Sequence, residues 1–221
     1  SNPDFKELNN IRFQNFKKFE TQGFPTKKEE HWKYADLRTI ISNNFEDLQI
    51  YDDKTTSKYN NQLLIKNFDH NKIILLNGNF IESDFSFEDR KKINIKSLKS
   101  ILESKEDFEK IKNYFHDEQN SLISLNHALA NDGIVFEVSD NYLFNKPLIL
   151  YNLFDGKANN KIINNKVFIS LGNKSRLNLV DFYKCENNVK YFNNTAHNYT
   201  IKKIAILKKF NINSSLDNSY N

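Results

Sequence analysis

The sequence predicts an α+β chain in two parts, a small α-rich N-terminal lobe over residues 1–133 and an all-β domain over 134–221. Three observations carry this. Apolar residues near the N-terminus recur at helical spacing; after Gly133 the chain becomes a series of short β-rich runs; and no helical pattern interrupts those runs.

In the first part, Asp4 is placed to cap a helix with Glu7 at its third position, and Phe5, Leu8, Ile11, Phe16 and Phe19 form its apolar face. Gly23 stands where a helix C-terminus wants a left-handed residue. Phe24 is held extended by Pro25, and Thr26 to Glu29 fits a capping box for a short second helix carrying Trp32, Tyr34 and Leu37. Residues 42–71 read as loop with one short strand near Leu63 to Ile65. Lys72 to Phe80 reads as two strands around an Asn77-Gly78 hairpin turn. Ser97–Leu102 and Phe108–Phe115 are short helix candidates, and Asn120–Ala130 is a stronger one, closed by Asn131-Asp132-Gly133.

In the second part the runs are IVFEV, PLILYNLF, KVFISL, RLNLVDFY, KYFNNTAHNYTI and KKIAILKKFNI, with turn-forming clusters between them. In Arg176 to Phe182, Leu177, Leu179 and Phe182 read as the apolar set against Asn178 and Asp181. Strand spacing alone leaves a sandwich, a barrel and a β-solenoid open.

Composition excludes several function classes. One cysteine, Cys185, rules out an intrachain disulfide framework and a zinc cage of several thiolates. It lies between Lys184 and Glu186 with no histidine near in sequence, and reads as an incidental thiol. The histidines at 31, 70, 116, 127 and 197 are scattered without ligand spacing, so no metal site is assigned. Five glycines leave no phosphate-cradling loop and no nucleophile elbow. The adjacent carboxylates Glu29-Glu30, Glu46-Asp47 and Asp117-Glu118 read as solvated surface, and Lys202-Lys203 and Lys208-Lys209 as protection of an edge strand. No catalytic, cofactor-binding or metal residue is assigned. No apolar run approaches the roughly 18 residues of a membrane helix. Residues 134–221 carry 12 basic and 6 acidic side chains, net +6, but lack any nucleic-acid-binding motif. Neither a membrane nor nucleic acid is expected as a partner.

The segment Gly23 to Leu37, GFPTKKEEHWKYADL, is far more specific. Its Gly23, Pro25, Thr26, Lys28, Glu30, Trp32, Lys33, Tyr34 and Leu37 resemble a signature near the N-terminus of the SufB/SufD family of iron–sulfur cluster assembly proteins, on its SufD side. KIILLNGNF and SLNHALANDGIVFEV are similar to later elements of the same family, and the remaining strands match more loosely.

The resemblance implies a helical N-terminal lobe followed by a right-handed parallel β-helix, truncated at the C-terminus of this chain. It implies a non-catalytic scaffold in the cytoplasm, or in a plastid for a eukaryotic source, with SufB and SufC homologues as partners. It implies no cofactor in this portion, the iron–sulfur cluster being assembled on the full complex. Relatives are longer, and the family's functional cysteine and histidine and its SufC-binding helices fall beyond Asn221. The opening Ser1-Asn2 without methionine reads as a tag scar left by a protease; the length of the relatives makes this chain the front portion of a longer protein, and self-association through the open β-helix is expected. The rival reading is a β-solenoid domain binding carbohydrate or a polyanion through a Lys-rich face.

Overall fold

The computed structural model describes residues 6–27, 36–53, 58–115, 120–186, 188–214 and 219–220. Helix α1, Lys6–Gln22, buries Leu8, Ile11 and Asn15. It ends as expected at Gly23, whose φ of 69° lets its N–H reach the Phe19 carbonyl at 2.7 Å. The Asp4 cap and most of the expected second helix, with Trp32 and Tyr34, lie outside the described residues.

The stretch expected to be loop is more ordered than its polarity suggested. Helix α2, Leu37–Asn44, starts at Leu37, a residue expected on the second helix, because the Asp36 carboxylate accepts the Thr39 N–H at 3.0 Å, and it runs three residues into the expected loop. Strand β1, Gln49–Ile50, follows. In place of the short strand near Leu63 there is a 3-10 turn, Asn61–Leu63, capped by Asn60. Leu63, Leu64 and Ile65 are an apolar plug, packed against Ile74, Ile149, Tyr151 and Phe182.

The hairpin is as predicted: β2, Asn71–Leu76, and β3, Asn79–Asp84, join at Asn77 (φ 48°) and Gly78 (φ 81°). Positive φ at both central residues is the tight turn that matches strand twist. Strand β4, Ile93–Ser97, was not anticipated, although Ile93 and Ile95 alternate with exposed Asn94 and Lys96. Helices α3, Leu98–Leu102, and α4, Lys105–Ile111, are capped by Ser97 and Ser104, and a 3-10 turn, Lys112–Phe115, extends α4. Helix α5, Ser121–Leu129, is capped by Asn120. Gly133 does not close this helix, as the sequence suggested. It lies inside β5, Asp132–Val138.

The remaining strands fall on the six predicted runs: β6 Leu148–Phe154, β7 Lys161–Leu171, β8 Arg176–Cys185, β9 Tyr191–Ile201 and β10 Ile206–Asn213 follow β5. A short β11, Ser219–Tyr220, comes last. They alternate between two sheets, one ordered β11-β9-β7-β5-β4 with β1 beside β7, the other β10-β8-β6-β2-β3. Every pairing from β5 onward is parallel, and β2 also runs parallel to β6; β2–β3 and β4–β5 are antiparallel. Successive strand pairs therefore stack as rungs: β5 with β6, β7 with β8, β9 with β10.

Register builds columns of equivalent side chains through the rungs. Ile134 lies beside Val167 and Phe136 beside Ile169, while Leu148 lies beside Leu179. These residues, with Ile73 and Leu75 from β2, are the buried core between the sheets. At roughly 1.5–3 kcal/mol for each fully buried large apolar side chain, this column packing dominates the stability of the stack. The outer face of the first sheet is covered by helices. Phe168 packs against residues of α1, α3 and α4, and Ile162 and Phe192 against residues of α2 and α5.

A polar interior as candidate functional site

The same columns change chemistry along the stack. Ile134 and Val167 are followed by His197; Phe136 and Ile169 by Tyr199; Leu148 and Leu179 by Lys209. Leu150 is followed by Asp181, and Asn152 by Tyr183. Along these columns the interior turns from apolar to polar, with Asn152 of the first rung already polar and Leu207 of the third still apolar.

These groups satisfy one another. The buried Asp181 carboxylate accepts from Asn152 Nδ2 at 2.7 Å, Tyr183 OH at 3.3 Å and Lys209 Nζ at 3.1 Å. His197 Nε2 lies 3.4 Å from Tyr183 OH, and its Nδ1 lies 3.0 Å from Tyr199 OH. Asp181 has only acceptors, so Tyr183 spends its proton on Asp181 and receives the Nε2 proton of His197. Nδ1 then accepts from Tyr199. With a neutral imidazole one directed chain results, Tyr199 to His197 to Tyr183 to Asp181, and Nε2 also lies 3.5 Å from an Asp181 carboxylate oxygen.

Electrostatics agree with that assignment. Burial lowers the pKa of His197 despite the nearby Asp181 charge. Burial raises Tyr183 and Tyr199, and the Asp181 charge adds to both. For Lys209 burial acts downward, but the Tyr199 and Asp181 oxygens outweigh it and hold the ammonium above its ordinary value. The cluster is therefore an ion pair, Asp181 with Lys209, beside a neutral histidine.

Sequence reading missed this site for identifiable reasons. The sequence pattern groups Asp181 with Asn178 on the polar face of β8, yet it shares the two-residue period of Leu177 and Leu179 and faces inward; Phe182 is the residue that faces out. Edge protection fits Lys202, Lys203 and Lys208, which are exposed, but not Lys209, which points inside. A strict count along RLNLVDFY would have found the first.

Other candidates stay apart from this cluster. Cys185 ends β8 among Phe154, Val189 and Tyr191 and is a free thiol. His70 bonds the Phe68 carbonyl and Tyr151 OH, and the buried His127 lies 2.7 Å from Lys166 Nζ under α5. His31, His116, Glu29-Glu30 and Asp117-Glu118 lie outside the described residues. Among the described residues no group of three or more His, Cys, Asp or Glu could hold a metal ion. A cleft of about 530 Å³ opens elsewhere, between α1, α3 and the β2–β3 turn, lined by Arg12, Gly78, Leu102, Asp132 and Ile163. Burial raises the pKa of Asp132 there, although the Phe80 and Lys99 amides donate to its oxygens. No residue of the polar interior lines that cleft.

Stacked parallel strands with polar groups turned inward, and helices docked on one sheet, define a class: a layered β-stack protein with a helical N-terminal cover. The chain belongs to the SufB/SufD family, since the family described as SufBD protein N-terminal region matches residues 2–150. That places it with the SUF iron–sulfur cluster assembly proteins, whose family members are generally scaffold-type components. No curated protein matches the chain. Among the described residues no helix is long and apolar enough to cross a membrane.

Proposed function

We propose that this chain is the N-terminal portion of a SufD-like subunit, a non-catalytic scaffold on which iron–sulfur clusters are assembled together with a SufB homologue and the ATPase SufC. The family match over residues 2–150 carries this reading, and the Gly23 to Leu37 signature directs it to the SufD side. The alternation of β5 to β11 between two sheets supports a parallel β-helix, whose right hand rests on the family resemblance, with residues 1–133 as its helix-bearing lobe and 134–221 as its first coils. The cluster is cargo of the full complex, and no residue of this chain is assigned to hold it. The cytoplasm, or a plastid in a eukaryote, is the compartment this role implies.

The rival carbohydrate or polyanion reading loses two of the lysines it would use, since Lys166 is fully buried and Lys209 points inside. Co-purification decides the matter. An affinity-tagged full-length protein, expressed with SufB and SufC homologues, is expected to retain both through size-exclusion chromatography. Retention of neither would overturn the reading.

The β-stack also gives a surface for self-association. Strand β10 pairs only with β8 among the described strands, and Phe210 and Ile212 stand 58% and 43% exposed on it, continuing the apolar outer column of Val180 and Phe182. Sedimentation velocity is expected to show a species heavier than monomer that grows with concentration. A strict monomer at the highest concentration reached counts against this association.

A further inference from the structure

Three turns stack at one corner of the sheets, and two columns of exposed side chains run over them. Asn141 N–H donates to the Asn173 carbonyl and Lys174 N–H to the Lys203 carbonyl, at 2.7 and 3.0 Å, so the turns are in register. Asn141, Lys174 and Ile204 occupy equivalent left-handed positions with φ of 59°, 55° and 61°. Beside them Leu143 and Ile206 each pair with Arg176.

Ile204 is the anomaly. A β-branched residue in the left-handed region is a conformational outlier, whereas asparagine is tolerated there. This chain otherwise follows that preference. Of the seven non-glycine residues with positive φ among the described ones, five are asparagine, and the two exceptions, Lys174 and Ile204, lie on adjacent turns of this corner. Ile204 is also 66% exposed and Leu143 56%, so neither earns its place by packing within the chain. Strain kept at an exposed position points to use by something outside.

Charge indicates what that is. Lys174, Arg176, Lys202 and Lys203 are all exposed, and among the described residues none lies within ion-pair distance of a carboxylate, although the Lys202 charge acts on Asp140 from farther off. The carboxylate at this corner, Asp140, is already engaged by the Asn173 backbone and side-chain N–H groups. We propose that this corner docks an acidic segment of a partner protein, with Ile204 and Leu143 as apolar anchors and Lys174 and Arg176 between them as carboxylate contacts. The apolar anchors favour a protein segment over a sugar or nucleic-acid polyanion, which has no side chain to seat on isoleucine.

The full-length protein can be tested by fluorescence anisotropy with a short labelled peptide alternating glutamate and leucine, and with unlabelled polyglutamate and a heparin oligosaccharide as competitors. The wild-type protein is expected to bind the peptide and to keep it against either competitor. Ile204→Asn is expected to weaken binding about tenfold or more, as loss of an anchor does, while raising Tm by about 2–4 °C through relief of strain. Charge reversal at Lys174 and Arg176 together is expected to abolish binding with the fold retained by circular dichroism. The proposal is overturned if the wild-type protein ignores the peptide, if polyglutamate or heparin displaces it at equal charge, if Ile204→Asn binds as wild type, or if its Tm does not rise.

Discussion

Gly133→Ala is expected to destabilise the protein by about 3–5 kcal/mol, combining backbone strain with overpacking of a closed core, which is a large share of a typical domain's total stability. Gly133 has a φ of 133°, a conformation L side chains rarely adopt, and it lies inside β5. A Cβ there would stand 1.9 Å from the Lys166 carbonyl oxygen and within 3 Å of its carbonyl carbon and nitrogen. Lys166 is the residue paired with Gly133 across the β5–β7 ladder, so the obstacle is backbone held by hydrogen bonds on both sides. The ladder would have to break before the methyl group could fit. Urea unfolding, or the soluble yield where the variant does not fold, measures the loss. Gly156→Ala is the control, because nothing lies within 4 Å of a Cβ at that position, and it should change the midpoint little.

Asp181→Ala is expected to cost about 3 kcal/mol, the low end for removing one partner of a buried ion pair, because Lys209 keeps some contact with water. Asp181 has a side chain 1% exposed and Lys209 one 27% exposed. The variant removes the acceptor that the ammonium, Asn152 and Tyr183 share, leaving the ammonium only Tyr199 and Asn152 only the Leu150 carbonyl at 3.4 Å. Lys209→Met in the Asp181→Leu background, which replaces the pair by apolar groups, should recover most of the loss in a double-mutant cycle.

The same cluster makes stability depend on pH in a defined direction. Burial depresses the pKa of His197 in the folded protein, so the unfolded chain, titrating near the ordinary value of about 6.5, takes up a proton first. Stability from this group is therefore complete above pH of about 6.5 and declines on acidification, with a limiting slope of about 1.4 kcal/mol per pH unit, until the folded-state pKa is passed. Comparing urea unfolding of wild type and His197→Gln across that range isolates the effect. A difference between the two that does not shrink as pH falls would refute the neutral, buried histidine. Asp36 and Asp107, which are held below their usual values by hydrogen bonds from Thr39 and Lys110, respond only in a more acidic range.

Local signals accounted for much of the fold. The Asn77-Gly78 hairpin, the caps at Asn120 and Ser97, the Gly23 terminus and the six strand runs after Gly133 all depend on residues within a few positions of one another. Where reading failed, the deciding contact was distant. Strand β4 forms because Ile93 to Ser97 finds β5 some forty residues later, with Ile93 paired to Val138. The Leu63 to Ile65 run resembles a strand by composition, but Asn60 starts a 3-10 turn and the apolar groups cover Tyr151 and Phe182 instead.

By itself the sequence determined the order and kind of most elements, the family through the Gly23 to Leu37 signature, and the absence of a glycine-rich phosphate loop. Only tertiary structure decided that Val167 lies between Ile134 and His197, and that Asp181, Tyr183, His197, Tyr199 and Lys209 share one interior. The physical reason is that rung stacking pairs residues about thirty positions apart through backbone hydrogen bonds, which carry no side-chain code. Two-residue alternation assigns each residue a face, but which face is inside, and what stands above and below, is settled only when the two sheets close on each other.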